Sequence, residues 1–411
     1  MTLTDADINA ARRRSHIVLI SGQALAGVGM GATLSAGALL VTQVSGSAAL
    51  SGMAATGTTV GAAVAALPLA ALARRAGRAP SLATGALVAA AGAGVGLLAA
   101  VVGSFPLLLV GLVMIGVGTA VNLQSRFAAT DLSEPGKRGR DLAIVVWATT
   151  VGAVFGPNLT APADVLGRSI GLPPLSGSFL FTITAQLLAA AIYLVFLRPD
   201  PLVLATRLGV ERAAVGVVAA IRADRNGVRT GLIALALSHA TMVSVMSMTP
   251  VHLDEQGATL QIIGLTISLH VAGMFGLSPL FGWMSDRLGR ERVIALGQAL
   301  LLAALLTTSF GSDYTGAVIV GLVLLGLGWS ASTVAASALV AESADPLRRT
   351  VIQGRADLLM SATGAAGGAL AGPALAVFGY NGLALVAIAL VVVVLVAVSA
   401  RTATRRHEVR A

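Results

Sequence analysis

Twelve apolar stretches, each about 20 residues or more and nearly bare of charge, dominate this chain. They run at about 16–42, 50–73, 80–103, 106–128, 142–162, 176–197, 230–252, 259–284, 292–311, 315–340, 351–377 and 382–400. An apolar helix of about 20 residues crosses a hydrocarbon core about 30 Å thick, and in lipid the backbone must satisfy its own hydrogen bonds. The pattern therefore predicts an all-α membrane protein with twelve transmembrane helices. Charged residues make up only 11% of the chain, less than half of the roughly 25% usual in soluble domains. The 48 glycines fit the same reading. Small residues let helices in lipid approach closely, so Gly92, Gly94, Gly96 and Gly111, Gly116, Gly118 are expected packing faces.

The net charge of +9 is distributed in a way that argues against nucleic acid. Arg12, Arg13 and Arg14 precede the first apolar run, and Arg74, Arg75 and Arg78 follow the second. Later basic clusters fall on alternate connections and at the C-terminus, with Arg168 alone on the opposite side. By the positive-inside rule both termini are expected in the cytoplasm, so the basicity is topological and no nucleic-acid partner is expected. There is no cysteine, which excludes disulfides and thiolate metal sites. The first run is long, lacks a small-residue cleavage site and is followed by further runs, so it is expected to be retained as a helix. Of the 27 basic residues 26 are Arg. Together with abundant Ala and Gly this suggests a GC-rich bacterial genome and hence a multi-pass protein of the bacterial inner membrane.

The chain also repeats itself. Arg74-Arg75-Ala76-Gly77-Arg78 aligns with Asp286-Arg287-Leu288-Gly289-Arg290 at an offset of 212 residues, and Asp131 to Lys137 matches Glu342 to Arg348 at 211. Gly139-Arg140-Asp141-Leu142 resembles Gly354-Arg355-Ala356-Asp357-Leu358, and Gly156-Pro157 corresponds to Gly372-Pro373. Two six-helix halves are expected, at 1–197 and 230–411, joined by a cytoplasmic linker at 198–229. That linker carries six Arg, Pro199, Pro201 and an amphipathic stretch near 205–221.

Gly282-x-x-x-Asp286-Arg287-x-Gly289-Arg290 resembles the loop signature of the major facilitator superfamily. The resemblance implies that superfamily's fold: two six-helix halves in parallel pseudo-symmetric repeat, a midplane site and alternating access. The first-half copy departs from the signature, because Arg74 occupies the acidic position. In the superfamily the loop acid meets the cytoplasmic end of a helix from the other half. By that resemblance Arg74 is expected to meet Asp357 and Asp286 to meet Arg140, giving two latches with one reversed in sign. The alternative is that these are separately solvated interface charges.

Between His239 and Met274 lie two further pairs, Met242-x-x-x-Met246 and His270-x-x-x-Met274. The i, i+4 spacing stacks each pair on one helix face. The seventh and eighth runs must be antiparallel. At about 1.5 Å per residue, Met242 stands level with Met274 and Met246 with His270. Thioethers and imidazole without a carboxylate form a soft ligand set that favours Cu(I) over Mg²⁺, Ca²⁺ or Mn²⁺. Methionine also fills gaps in apolar cores, so the residues alone leave metal ligation and packing both open. His239 lies near the same face as a possible exit ligand, with His252 and Met248 toward the outer end.

The two pairs resemble, at the same spacing, the motifs of the CcoA-like copper importers, a branch of the same superfamily. That resemblance implies uptake of copper, as substrate and not as cofactor, to supply a cbb-type haem–copper oxidase. Copper chaperones of the oxidase assembly pathway would be partners. Some members carry cysteines, and this chain does not. Related branches are associated with riboflavin, so an organic-solute carrier, for a riboflavin-like substrate or a drug, stands as the alternative. For that cargo Gln23, Asn122, Gln124, Asn158 and Gln186 are the candidate polar lining. A proton-coupled carrier would want a midplane carboxylate, and none is expected. Arg126 is expected to pair with Asp131 or Asp141. No nucleophile with a paired base and no phosphate-binding loop is visible, so an enzyme is not expected.

Overall fold

The computed structural model describes residues 4–46, 50, 53–134, 136–214 and 224–410. The described residues are almost wholly helical. In chain order the helices are α1 (Asp5–Ser45), α2 (Met53–Ala76), α3 (Arg78–Val102), α4 (Phe105–Ala128), α5 (Arg138–Asn158), α6 (Thr160–Ser169) and α7 (Ser178–Phe196). There follow α8 (Pro201–Ala214), α9 (Arg225–Glu255), α10 (Leu260–Phe275), α11 (Ser278–Leu288), α12 (Arg290–Phe310), α13 (Thr315–Ser343) and α14 (Arg349–Arg410). Nine segments among the described residues are long and apolar enough to cross a membrane. Part of the gap from twelve lies in α14, where two helices carrying the eleventh and twelfth apolar runs meet at the non-helical Gly379 (φ 67°) and are counted together.

Local chemistry sets the helix ends. Thr4 and Asp7 close a capping box on α1, satisfying N–H groups that the first turn leaves unpaired. The hydrogen bonds from Thr4 hold the exposed Asp7 carboxyl below its ordinary value. The fifth apolar run ends one turn early: α5 stops at Asn158, just past Gly156-Pro157, and α6 begins at Thr160. The eighth run is likewise broken, with α10 ending before Gly276 and α11 starting with Pro279 in its first turn, where a missing N–H costs nothing. The amphipathic linker stretch is helical as α8, and its residues 215–221 lie outside the described residues.

The chain forms two compact units. The first comprises 1–134, 148–221 and 347–358, and the second 135–147, 222–346 and 359–411. In the first unit α3 and α4 pack closely at Gly92 and Gly111, where an added Cβ would strike backbone of the facing helix, while one at Gly96 would strike the Phe179 ring of α7. This is the small-residue approach expected in lipid. Leu40, Leu108, Leu112, Ile115 and Phe179 form the apolar core beside it. In the second unit α13 is the central helix, packed by α9, α10 and α12. Gly326 meets α10, while Gly297 and Gly328 bring α12 and α13 together.

Equivalent positions of the repeat make equivalent contacts inside each unit. Gly77 and Gly289 both adopt left-handed backbone (φ 97° and 96°), which only glycine takes without strain. Each is followed by a buried arginine that starts the next helix. Arg78 binds Asp131 through Nε at 2.8 Å and Nη2 at 3.2 Å, and Nη2 also donates to Gln353 at 2.7 Å. Arg290 binds Glu342 at 3.2 Å and pairs with Asp286. Gly139 lies against Gly282 in the second unit, and Gly354 against Ala70 in the first.

Candidate functional site

α9 and α10 are held to each other mainly through α13, since both pack along it. His270 is fully buried, and its Nδ1 lies 2.8 Å from the carbonyl oxygen of Leu322 on α13. A carbonyl only accepts, so Nδ1 carries the proton and Nε2 presents its lone pair. That Nε2 is buried and has no hydrogen-bond partner. The approach is close because residue 326 is glycine: a Cβ there would overlap the His270 carbonyl oxygen and stand 3.0 Å from the Met274 nitrogen. Met242 (3% exposed) and Met274 (9%) belong to one apolar cluster with Val245, Leu301, Leu322 and Trp329, and Met246 and Met248 pack against it. The methionines share this cluster, and His270 bonds to the backbone of one of its members, Leu322 on α13. Among the described residues no three His, Asp or Glu gather into a group that could hold a metal ion.

His239 is engaged. Trp329 Nε1–H donates to its Nδ1 at 3.0 Å, with the ring centroids 6.0 Å apart and tilted. Phe275 packs edge-on to Trp329 at 5.8 Å. The Nε2 edge of the His239 ring abuts Gly364. Toward the other end of α9, His252 stacks on Tyr380 at 4.1 Å, and its Nε2–H donates to the Ser312 carbonyl at 2.9 Å. Leu322, Gly326, Trp329 and Tyr380 were not singled out by sequence reasoning. Three of them act through backbone or packing, which leaves no residue-type signal.

The expected latches need correction. Asp357 pairs with Arg126 on α4, Nη2 to Oδ1 at 2.8 Å, with both side chains buried, while Arg74 is exposed at the end of α2. Arg126, expected to pair with Asp131 or Asp141, thus has Asp357 as a partner, and Arg78 holds Asp131. Physically, a carboxylate buried this deeply needs an equally buried cation, and the last turn of α2 supplies only solvent-facing ones. Asp286 does meet Arg140, but through backbone. It accepts from the N–H groups of Gly139 (3.0 Å) and Arg140 (2.8 Å) at the start of α5, where a helix leaves donors unpaired and favours an anion. Its side-chain partner is Arg290. Arg287 is exposed and lies over the Trp283 ring at 5.5 Å.

Of the expected polar lining, Gln124 ties helices together, donating to the Ala66 carbonyl at 3.1 Å. Gln23 Nε2–H donates to Thr149 Oγ1 at 2.9 Å. Gln186 is fully buried, and neither its amide nitrogen nor its amide oxygen has a partner. The side chain of Asn158 lies outside the described residues.

Comparison with known proteins agrees with this architecture. The profile of the Major Facilitator Superfamily matches residues 19–259 and 231–411. YddS of Bacillus subtilis, an uncharacterised MFS-type transporter, is 38% identical over 384 residues, covering 92% of this chain and 88% of its own. The riboflavin transporter RfnT of Brucella anthropi is 28% identical over 380 residues, covering 92% of each. Among solved structures, the human organic anion transporter MFSD10 superposes with a TM-score of 0.73 at 17% identity, over 94% of this chain and 99% of that one. The transporter FucP in its outward conformation gives 0.68 at 17% identity, over 94% and 98%. Matched by a family profile over nearly its whole length, this chain belongs to the major facilitator superfamily of membrane transporters.

Proposed function

We propose that this chain imports copper as Cu(I), through a site formed by Met242, Met246, His270 and Met274. The observation that carries this reading is the orphaned, buried Nε2 of His270, whose ring bonds to Leu322 of the apolar cluster to which the methionines belong. A buried ring nitrogen without a partner is costly in an apolar interior. A metal-binding histidine gives its other ring N–H to a carbonyl, which fixes the tautomer and aims the ligating nitrogen, and the bond to Leu322 has that form. A soft monovalent cation would satisfy the nitrogen and draw on the sulfurs, whereas a purely structural histidine would have little reason to leave Nε2 empty.

In this reading the cation passes the Met248 and His252 end, binds at the four side chains, and leaves past His239. The orientation is that of a bacterial inner-membrane protein with cytoplasmic termini, and copper chaperones would receive the ion. Moving one charge down a potential of 100 mV releases about 2.3 kcal/mol, so import needs no coupled ion. The test is radioactive copper uptake by cells carrying the wild type, Met242→Ala or His270→Ala, with riboflavin uptake measured in parallel. Copper accumulation that falls in both variants supports the assignment, and undiminished accumulation in both removes it.

One observation favours a second reading. The unpartnered amide of Gln186 is suited to an organic solute with hydrogen-bonding edges, and the relative RfnT is named a riboflavin transporter. Flavin uptake that falls in Gln186→Leu and ignores Met242→Ala would move the assignment to that cargo.

A further inference from the structure

A cleft lies between α1 and α7 in the first unit. The two helices touch where Gly22 meets the Tyr193 ring. Beside that contact, toward the start of α1 and the end of α7, the cleft measures about 590 Å³ and is lined by Arg13, Arg14, Ile17, Val18, Ile192 and Phe196. Positions 10, 14, 17 and 21 recur at helical spacing along one face of α1, so the face turned to the cleft carries arginine at its polar end and apolar side chains further in. The neighbouring face does a different job. Arg12 binds the Leu132 carbonyl at 2.8 Å and pairs with Glu134, and His16 lies 3.2 Å from the Ala129 carbonyl.

The two cleft arginines are not neutralised. Arg14 gives Nε–H to the Phe196 carbonyl at 3.0 Å, a neutral acceptor. Arg13 is exposed and makes no hydrogen bond or ion pair among the described residues. Beneath them Ile17 is 55% exposed and Phe196 50% exposed. They lie where the polar lead of α1 gives way to its apolar run, the level at which phospholipid headgroups meet acyl chains. Basic clefts between membrane helices at that level bind anionic headgroups.

We propose that this cleft is a specific site for an anionic glycerophospholipid. The phosphate lies between Arg13 and the terminal nitrogens of Arg14, and one acyl chain lies along Ile17, Val18, Ile192 and Phe196. Arginine suits this role because its planar fork matches phosphate oxygens. The site does not depend on which cargo the protein carries.

The experiment is native mass spectrometry of the full chain released from nanodiscs of equimolar phosphatidylglycerol and phosphatidylcholine. Each surface arginine contributes about fivefold to anionic-lipid affinity, so the wild type is expected to retain one phosphatidylglycerol with a preference of roughly 25-fold. R13Q/R14Q should abolish that preference. I17W, which fills the cleft without altering charge, should reduce retention of both lipids, and R75Q on a separate connection should match the wild type. Equal retention of the two lipids by the wild type overturns the proposal. So does a preference that R13Q/R14Q leaves intact. Loss in R13Q/R14Q with full retention in I17W would reduce the site to unspecific surface charge and overturn the cleft. Glycerol phosphate displacing the lipid at equal concentration would show that the apolar wall takes no part, and would overturn it as well.

Discussion

The ring of His270 on α10 is tied to α13 by a single bond, Nδ1–H to the carbonyl oxygen of Leu322 at 2.8 Å, while its Nε2 has no partner. The bond fixes the tautomer, so Nε2 is the nitrogen that carries the lone pair. Met242 and Met274 belong to the apolar cluster that contains Leu322. Met→Leu is nearly volume-conserving and costs less than about 1.5 kcal/mol in a core, yet it removes the sulfur. Met242→Leu and Met274→Leu should therefore unfold within a few degrees of the wild type and lose copper uptake about tenfold or more. Wild-type uptake in both would mean that these thioethers only pack.

Gly326 allows that geometry. An alanine in a helix interior is ordinarily favoured over glycine by about 1 kcal/mol, but here the new Cβ would overlap the backbone of α10 at His270, and overpacking costs about 1–3 kcal/mol. The second effect wins, because helix backbone cannot swing aside as a side chain can. Gly326→Ala should lower the unfolding midpoint by several degrees. Gly94→Ala, where a Cβ would meet nothing within 4 Å, should raise it slightly. Equal shifts at the two positions in thermal unfolding would contradict the close approach.

The apolar runs and the duplicated loops were legible because each is a pattern of residue types along the chain. The partner of His270 is a main-chain carbonyl, which every residue carries, so no side chain could announce it. Asp357 was expected to meet Arg74 and pairs instead with Arg126. Arg126 is 231 residues away, and among 26 arginines spacing does not say which one shares its interior. Trp329 reads as one more aromatic in an apolar run until α13 sets its Nε1 against His239. The break of the eighth run before Ser278 was hidden by its unbroken hydropathy.

Arg126 and Asp357 are both nearly inaccessible. Removing one member of a buried pair leaves a stranded charge and costs about 3–5 kcal/mol, whereas replacing both with apolar residues of similar volume is often neutral. Asp357→Leu and Arg126→Met should each lower the unfolding midpoint sharply, and the double variant should recover most of the loss. Arg74→Met, on an exposed side chain, should stay within about 0.5 kcal/mol of the wild type. A double-mutant cycle in detergent measures the coupling. A coupling near zero, or a large effect at Arg74, would return the latch to the pairing expected from sequence.

Asp286 separates the two copies of the repeated loop. Its carboxylate accepts from the first N–H groups of α5 at Gly139 and Arg140 and pairs with the buried Arg290. The equivalent first-unit position is the exposed Arg74, and Arg78 turns instead to Asp131 and Gln353. Asp286→Asn keeps an oxygen that can accept one N–H but removes the charge held by Arg290. Asp286→Ala removes both. A side-chain cap contributes about 0.5–2 kcal/mol, and either change takes from the buried Arg290 one of its two carboxylate partners, leaving Glu342. Alanine should therefore destabilise clearly more than asparagine, and asparagine more than any change at Arg74. Thermal unfolding of the three variants measures the order. If asparagine proved as harmful as alanine, the ion pair with Arg290 alone would matter, and the contact with the start of α5 would be incidental.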